Sequence, residues 1–124
     1  MGRKSVMVVE DDSEIRETLC QVLEDEGYAV LDFRNGREAL EHLKAAVGQA
    51  GPPGLILLDL MMPIMNGWQF RAAQLEDPAL AHIPVVVLTA ERMAPKAHNT
   101  LPGVARLRKP VELDDLLHAV QQFC

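Results

Sequence analysis

The sequence has few cysteines, few aromatic residues and no long hydrophobic run. Its two cysteines, Cys20 and Cys124, lie far apart and form no Cys-x-x-Cys motif or Cys/His cluster. We interpret Cys20 as a buried small apolar residue and Cys124 as a loose terminal thiol, not as a disulfide. The apolar runs are too short to span a membrane, and the run after the basic residues 1–5 is too short for a signal peptide. The expected location is therefore the cytoplasm.

Positive charge is also scarce. Lys and Arg total 12 against 18 Asp and Glu, which gives a net charge of -6. This balance argues against direct nucleic-acid binding by the domain. With 48% hydrophobic and 24% charged residues, the composition is that of a globular protein. Its 124 residues suit a single domain, 1–124, with one core. The four histidines are scattered, without metal-ligand spacing, and we interpret them as surface or structural residues.

Five short apolar runs have the features of strands, most of them buried on both faces as in a parallel sheet. The predicted strands are Ser5–Val9, 28–33, Leu55–Asp59, 85–88 and 104–107. The second is weaker and alternates between apolar and polar residues. The strongest, Leu55–Asp59, runs four aliphatic residues straight into an aspartate. Asp59 therefore lies at the edge of the sheet where open α/β folds place their ligands.

Amphipathic segments separate these strands. Residues at helical spacing predict four helices: Ile15, Leu19, Val22 and Leu23; Ala39, Leu40, Leu43 and Val47; Trp68, Ala72 and Leu75; Leu113, Leu116, Leu117 and Val120. Asp12 or Ser13 can cap the first helix, Gly27 ends it, and Asn35-Gly36 is a predicted turn. Segment 92–101 is ambiguous. The alternation predicts an α/β fold with a doubly wound parallel sheet and helices on both faces.

Chemically active side chains follow several of the predicted strands. Glu10 and Asp11 follow the first strand, and Asp59 ends the third. Thr89 follows the fourth, and Lys109 comes from the loop beyond the fifth. Because the carboxyl ends of parallel strands meet at one edge of a sheet, we expect these groups to share one shallow pocket.

The residue types in this pocket suggest phosphoryl chemistry. Carboxylates held together repel one another and resist full ionisation, and a hard divalent cation relieves that repulsion. Mg²⁺ favours few carboxylates, several waters and a phosphate. A hydroxyl and an ammonium group suit the remaining phosphoryl oxygens. A carboxylate beside Mg²⁺ can attack a phosphoryl group to form an acyl phosphate, so the chemistry alone suggests an aspartyl-phosphate site.

The same residues resemble the receiver domain of two-component response regulators. The matching set is Glu10-Asp11, Asp59, Thr89-Ala90 and Lys109-Pro110, and residues 57–67 resemble the most characteristic segment of the family. The resemblance covers the whole chain in the right order and spacing. It implies a flavodoxin-like fold, a five-stranded parallel sheet of order 2-1-3-4-5 with the site at the switch point.

The resemblance also implies a metal site and a phosphoacceptor. Asp59 would take a phosphoryl group from a sensor histidine kinase or phosphotransfer protein. The carboxylates of Asp11 and Asp59 and the backbone carbonyl of Met61 would bind Mg²⁺, and Glu10 would hold the metal through water.

Further roles follow from the resemblance. Thr89 would hydrogen-bond the phosphoryl group and shift inward on activation, Lys109 would pair with it, and Pro110 would follow a cis peptide bond that aims Lys109. The downstream partner would be a protein or effector domain, with no membrane involved. The chain would catalyse only its own phosphorylation and dephosphorylation, so it is not expected to be an enzyme.

The chain departs from the family pattern on the surface expected to bind the downstream partner, which in the family is formed by the fourth helix, the fifth strand and the fifth helix. Arg106 stands where the family usually has an aromatic residue, and Val111 replaces the usual phenylalanine after Lys-Pro. The segment between Thr89 and Lys109 is slightly short and carries Pro95 and Pro102. These departures predict an altered readout surface, on which Arg106 responds to charge differently from an aromatic switch.

Two other functions remain as alternatives. The first is a receiver-like interaction module that works without phosphorylation, which the departures favour mildly and the intact site residues disfavour. The second is an Asp-nucleophile phosphatase, which needs an acid two residues after Asp59, where this chain has Met61.

Met61 and Glu91 are expected to affect the phosphoryl lifetime. We interpret Trp68, Met61, Met62 and Met65 as packing residues. Both a stand-alone protein and an excised domain fit the chain.

Overall fold

The computed structural model describes residues 4–46, 52–89 and 105–124, in which five strands and four helices occur. The strands are β1 (Ser5–Val9), β2 (Ala29–Phe33), β3 (Leu55–Asp59), β4 (Val85–Thr89) and β5 (Ala105–Arg108). The helices are α1 (Ser13–Asp25), α2 (Gly36–Ala46), α3 (Gly67–Glu76) and α4 (Leu113–Phe123). Across these three ranges, no helix has the length and apolar character needed to cross a membrane.

The strands form one parallel sheet in the order β2-β1-β3-β4-β5, which confirms the predicted fold and strand order. Strand β3 lies in the centre, and all five of its residues are buried. The edge strands β2 and β5 are only partly covered. Because successive side chains of a strand point to opposite faces, a buried central strand must be apolar on both faces. This explains the unbroken aliphatic run before Asp59.

Each face of the sheet carries its own hydrophobic core, so the helices lie on both faces as predicted. One core joins α2 and α3 to the sheet; it includes Met7, Val9, Leu40, Leu43, Ile56, Leu58 and Phe70. The other joins α1 and α4; it includes Val6, Val8, Leu19, Leu23, Leu55, Leu57, Leu116 and Val120. The strand residues of the two cores alternate along the chain, as the period of two requires.

Side-chain hydrogen bonds mark where α1 and α2 begin. Asp12 caps α1, because its Oδ1 accepts the N–H of Ile15 at 3.1 Å. The Asn35-Gly36 pair does more than turn the chain: α2 begins at Gly36, and Asn35 Oδ1 accepts the N–H of Glu38 at 2.9 Å. The predicted turn is therefore also a helix start.

The predicted third helix is confirmed as α3, but two of the residues that predicted it do not face the core. Ala72 and Leu75 are exposed, and the helix instead buries Phe70 and Gln74. The amide of Gln74 donates to two backbone carbonyls of the segment 77–84, both at 3.0 Å. A buried polar side chain with such partners is stable, but apolar spacing cannot reveal it.

Cys124 is also better held than predicted. Both cysteines are free and partly buried, and both pack against the α1/α4 core. The Sγ of Cys124 lies 3.7 Å from the carbonyl oxygen of Ser5, so the interpretation as a loose thiol is wrong. The predictions for Val47, for Ala90 and for residues 91–104 lie outside the described residues. So do residues 48–51 of the loop that leads into β3.

Candidate functional site

Asp59 ends β3 at the carboxyl edge of the sheet and is only 4% exposed. The N–H of Met61 lies 3.4 Å from its Oδ1. The start of α3 packs directly against the aspartate backbone: a Cβ at Gly67 would lie 2.7 Å from the Asp59 carbonyl oxygen. The N–H of Gly67 also donates to the carbonyl of Leu60 at 2.9 Å. The loop between β3 and α3 thus holds the Asp59 carboxylate in one place.

The two acids after β1 meet Asp59 at this edge. One carboxylate oxygen from each of Glu10, Asp11 and Asp59 lies within 4.8 Å of the others. Glu10 is fully buried and Asp11 is exposed. The Oε2 of Glu10 accepts the N–H of Asp12 at 3.3 Å. The structure therefore brings together the three acids that the sequence suggested would meet.

Lys109 reaches the same cluster from the loop after β5. Its Nζ lies 2.6 Å from Oε1 of Glu10 and 3.3 Å from Oδ1 of Asp59. Its backbone N–H donates to the carbonyl of Thr89 at 2.7 Å, and the Lys109–Pro110 peptide bond is cis, as predicted. The side-chain ammonium thus neutralises part of the charge of the acids.

Thr89 is buried at the end of β4. Its hydroxyl lies 3.5 Å from the carbonyl oxygen of Leu107, at the long limit for a hydrogen bond. In the register of the sheet Asp59 is paired with Leu88, so Thr89 lies one residue further along at the same edge. The structure therefore places Thr89 beside the strand end that carries Asp59.

The proximity of these groups shifts their protonation. Burial and the neighbouring Asp59 raise the pKa of Glu10 to about 7, against the opposing effect of the Lys109 ammonium. Burial also raises the pKa of Asp59. Burial alone would lower the pKa of Lys109, but Glu10 and Asp59 outweigh this effect and raise it. The site therefore favours a proton shared between Glu10 and Asp59, with a charged Lys109 beside them.

The donor set fits a hard divalent cation. Three carboxylates supply oxygen ligands, and the exposed Asp11 leaves one side of the cluster open to water. Mg²⁺ in proteins favours such a mixture of a few carboxylates and several waters. A cation would also offset the cost of burying charged carboxylates, which raises the pKa values of Glu10 and Asp59. The residues present therefore fit a bound Mg²⁺ ion.

The rim of the site includes exposed apolar side chains. Met62 is buried, and Met65 and Trp68 pack against the core, as predicted, but Met61 is 61% exposed, so its interpretation as a packing residue is wrong. Ile64 is 71% exposed and has a φ of 70°. The hydrogen bond from Met65 N–H to Pro63 O (2.7 Å) closes a three-residue turn around it.

One residue that sequence reasoning missed is Arg16 in α1. Its Nη1 donates to the backbone carbonyl of Glu10 at 2.8 Å, and its Nε donates to Asp32 on β2 at 3.1 Å. The sequence offers one weak signal, an arginine about one helical turn after an acidic strand end. Its contacts reach the loop after β1 and strand β2, so only the folded chain reveals them.

The sequence matches a family model described as the response regulator receiver domain over residues 6–121. That match covers nearly the whole chain. The chain belongs to the response regulator receiver domain family. Receiver domains are signalling modules of two-component systems that respond to phosphorylation, and they generally carry no catalytic activity toward other substrates. They typically use Mg²⁺ at an acidic pocket, which the cluster of Glu10, Asp11 and Asp59 provides here.

Individual relatives agree with this assignment of a receiver domain. The polar-differentiation response regulator DivK of Brucella anthropi is 30% identical over 97% of this chain and 95% of its own length. The chemotaxis protein CheY4 of Vibrio cholerae has a TM-score of 0.84 at 27% identity and covers 99% of this chain and 100% of its own. The receiver domain of a histidine kinase from Syntrophus aciditrophicus has a TM-score of 0.83 at 30% identity, with coverages of 97% and 89%.

Proposed function

We propose that this receiver domain, residues 1–124, accepts a phosphoryl group from a histidine kinase or phosphotransfer protein onto Asp59 in a Mg²⁺-dependent reaction, and that phosphorylation then changes its partner-binding surface. The observation that carries the proposal is the cluster at the carboxyl edge of the sheet. Glu10 and Asp11 lie within 4.8 Å of Asp59, and the Lys109 ammonium lies 3.3 Å from it. A nucleophile, a set of metal ligands and a cation for the phosphoryl oxygens thus occur together.

In the proposed transfer, one Asp59 carboxylate oxygen forms a bond to phosphorus. The bond from phosphorus to the imidazole nitrogen of the donor breaks, and the imidazole keeps the electron pair. The packed loop after β3 restricts the orientation of the Asp59 carboxylate, which lowers the entropic part of the barrier. Bound Mg²⁺ would supply Lewis-acid stabilisation of the charge on the phosphoryl oxygens.

The other residues act on the metal and on the phosphoryl group. Asp11, Asp59 and the Met61 backbone carbonyl would hold the ion, with Glu10 acting through water. Lys109, now 2.6 Å from Glu10, would pair with the phosphoryl oxygens. The Thr89 hydroxyl has only a long contact in this state, so it can turn to a phosphoryl oxygen with little loss.

An open groove beside the site supports docking of a phosphodonor protein. It has a volume of about 280 Å³ and lies between α1 and the loop after β5. Its walls are formed by Glu14, Ile15, Thr18, Leu19, Lys109, Pro110 and Val111. Because Lys109 belongs to both the groove and the acidic cluster, a partner segment seated there would lie beside the proposed nucleophile. We place this exchange in the cytoplasm, with a downstream protein or effector domain as the second partner.

Intact mass after incubation with a small-molecule phosphodonor and Mg²⁺ tests this function. We expect one added phosphoryl group, lost in a chelator and lost in Asp59→Asn. Asp25→Asn, at an aspartate near the far end of α1, is the matched control and should be labelled normally. Labelling that persists in Asp59→Asn would show that another residue is the acceptor.

The alternative is an interaction module that works without phosphorylation. Arg106, an exposed residue on edge strand β5, favours it mildly because it replaces the aromatic residue expected there. Absence of any labelling of the wild-type chain, under conditions that label a known receiver, would support this alternative.

A further inference from the structure

The backbone of Glu10 is held at both of its polar groups, by strand β2 at the N–H and by helix α1 at the carbonyl. The N–H of Glu10 donates to the carbonyl of Phe33 on β2 at 3.0 Å. The carbonyl of Glu10 accepts from Nη1 of Arg16 at 2.8 Å. Because this carbonyl belongs to the peptide that joins the two acids, the Arg16 contact fixes the direction in which both carboxylates leave the backbone.

Arg16 is itself held in a defined place. Its Nε donates to Asp32 at 3.1 Å, and Asp32 belongs to β2, where it pairs in register with Val8. The arginine side chain is 18% exposed and that of Asp32 is 50% exposed. The guanidinium therefore bridges the loop after β1 and strand β2 with donors in a fixed fork, a geometry that lysine cannot reproduce.

We propose that Arg16 is a positioning residue for the magnesium site, acting on the peptide between Glu10 and Asp11. The inference rests on the proposed function only in taking these acids as metal ligands. Groups that orient metal ligands from behind typically change affinity by about tenfold or more when removed.

Positioning and simple charge make opposite predictions. A positive charge near the acids repels Mg²⁺, so if Arg16 acted by charge alone, its removal would strengthen metal binding. If Arg16 acts by positioning, its removal weakens binding although a repulsive charge is lost. The sign of the change therefore separates the two roles.

The test is a calorimetric titration of Mg²⁺ into protein from which metal ions have first been removed with a chelator, which gives the Kd for Mg²⁺. We expect Arg16→Met to raise the Kd for Mg²⁺ about tenfold. Arg16→Lys keeps the positive charge but loses the planar pair of guanidinium donors. We expect the logarithm of its Kd for Mg²⁺ to rise by at least half as much as in Arg16→Met. At saturating Mg²⁺ both variants should regain a near wild-type rate of labelling, so the loss appears in the metal requirement and not in the maximal rate.

Arg34→Met is the matched control, because Arg34 makes an exposed pair with Glu38 at 2.9 Å and that pair is formed within α2 and the residues just before it. Its Kd should stay within about twofold of wild type. Tighter binding in Arg16→Met, or wild-type binding in Arg16→Lys, would overturn the positioning role. If Arg16→Met does not fold, Arg16→Lys decides the question alone. A wild-type chain that binds no Mg²⁺ would instead overturn the proposed magnesium site and this inference with it.

Discussion

The two loops that carry the acids are held in different ways. The loop after β1 is held by polar side chains: Asp12 caps α1, and Arg16 binds the carbonyl of Glu10. The loop after β3 is held by close packing of backbone, with Gly67 against the Asp59 carbonyl. The first loop should therefore be sensitive to charge, and the second to added volume.

This difference matches the exposure of the acids that the two loops present. Asp11 is exposed, at a place where water and a cation can enter. Asp59 is 4% exposed, as suits the proposed nucleophile, which must stay in one orientation. Hydrogen bonds to side chains permit small adjustments of backbone, whereas a packed backbone has nowhere to move.

The largest effect should come from adding one methyl group to the packed loop. In Gly67→Ala the new Cβ would lie 2.7 Å from the Asp59 carbonyl oxygen and 2.8 Å from the Leu60 Cα, and neither backbone atom can yield cheaply. We expect the free energy of unfolding to fall by about 2–3 kcal/mol. Phosphorylation should also slow, because the Asp59 backbone must shift. Urea unfolding and the labelling rate measure the two losses.

Gly54→Ala is the control for this change. Its Cβ would lie 2.8 Å from the Cys124 Sγ, the end of a side chain, and 3.5 Å from the Ser5 carbonyl oxygen. Because the sulfur can move, the loss of stability should be smaller, and the distant Asp59 should be labelled at the normal rate. Equal losses of stability and labelling in both variants would refute the claim that the β3–α3 loop is specially constrained.

The loop after β1 should make the stability of the protein depend on pH. The folded, metal-free protein keeps a proton on Glu10 until about pH 7, because its pKa is raised from 4.5 by burial and by Asp59. The folded state therefore binds more protons than the unfolded chain between about pH 4.5 and 7, so the contribution of Glu10 to stability is full below this interval and lost above it. We expect the Tm in chelator to fall by several degrees from pH 5 to pH 8, and saturating Mg²⁺ to remove most of the fall.

Two substitutions test whether Glu10 is the group that causes this pH dependence of the Tm. Glu10→Gln removes the titrating group and should flatten the fall in Tm, because burial of a neutral amide carries no such cost. Glu41→Gln, at an exposed residue of α2 paired with Arg37, should leave the fall unchanged. A slope in Glu10→Gln equal to that of wild type would show that other groups control the stability of this edge.

The sequence was sufficient for the parts of the site that depend on strand ends. An aliphatic run such as Leu55–Asp59 fixes a buried strand, and parallel strands deliver their last residues to one edge. Contacts made across elements were not predictable in the same way. Arg16 reaches a backbone carbonyl and a neighbouring strand, and Gln74 satisfies carbonyls of a later segment. Neither interaction leaves a period or a motif in the chain.

The smallest effect should come from the turn at the rim of the packed loop. Ile64 has a φ of 70°, a conformation that costs a β-branched residue about 1–2 kcal/mol, and its side chain is 71% exposed, so little burial offsets the cost. Ile64→Gly removes this strain but loses about 0.5–1 kcal/mol through the greater freedom of glycine in the unfolded chain. We expect a net gain in the free energy of unfolding of about 0.5–1 kcal/mol, read from the urea midpoint at an unchanged m-value.

Ile64→Val keeps the branched side chain in the same conformation and should give no gain, which makes it the matched control. A loss of stability in Ile64→Gly would mean that the isoleucine side chain packs usefully against its neighbours. Steric constraint in the loop would then come from side chains as well as from backbone, and the contrast with the polar loop after β1 would be weaker. A gain would instead show that the β3–α3 loop keeps a strained residue beside the site although glycine there would be more stable. The exposed apolar side chains of Met61 and Ile64 would then be the next surface to test for partner contact.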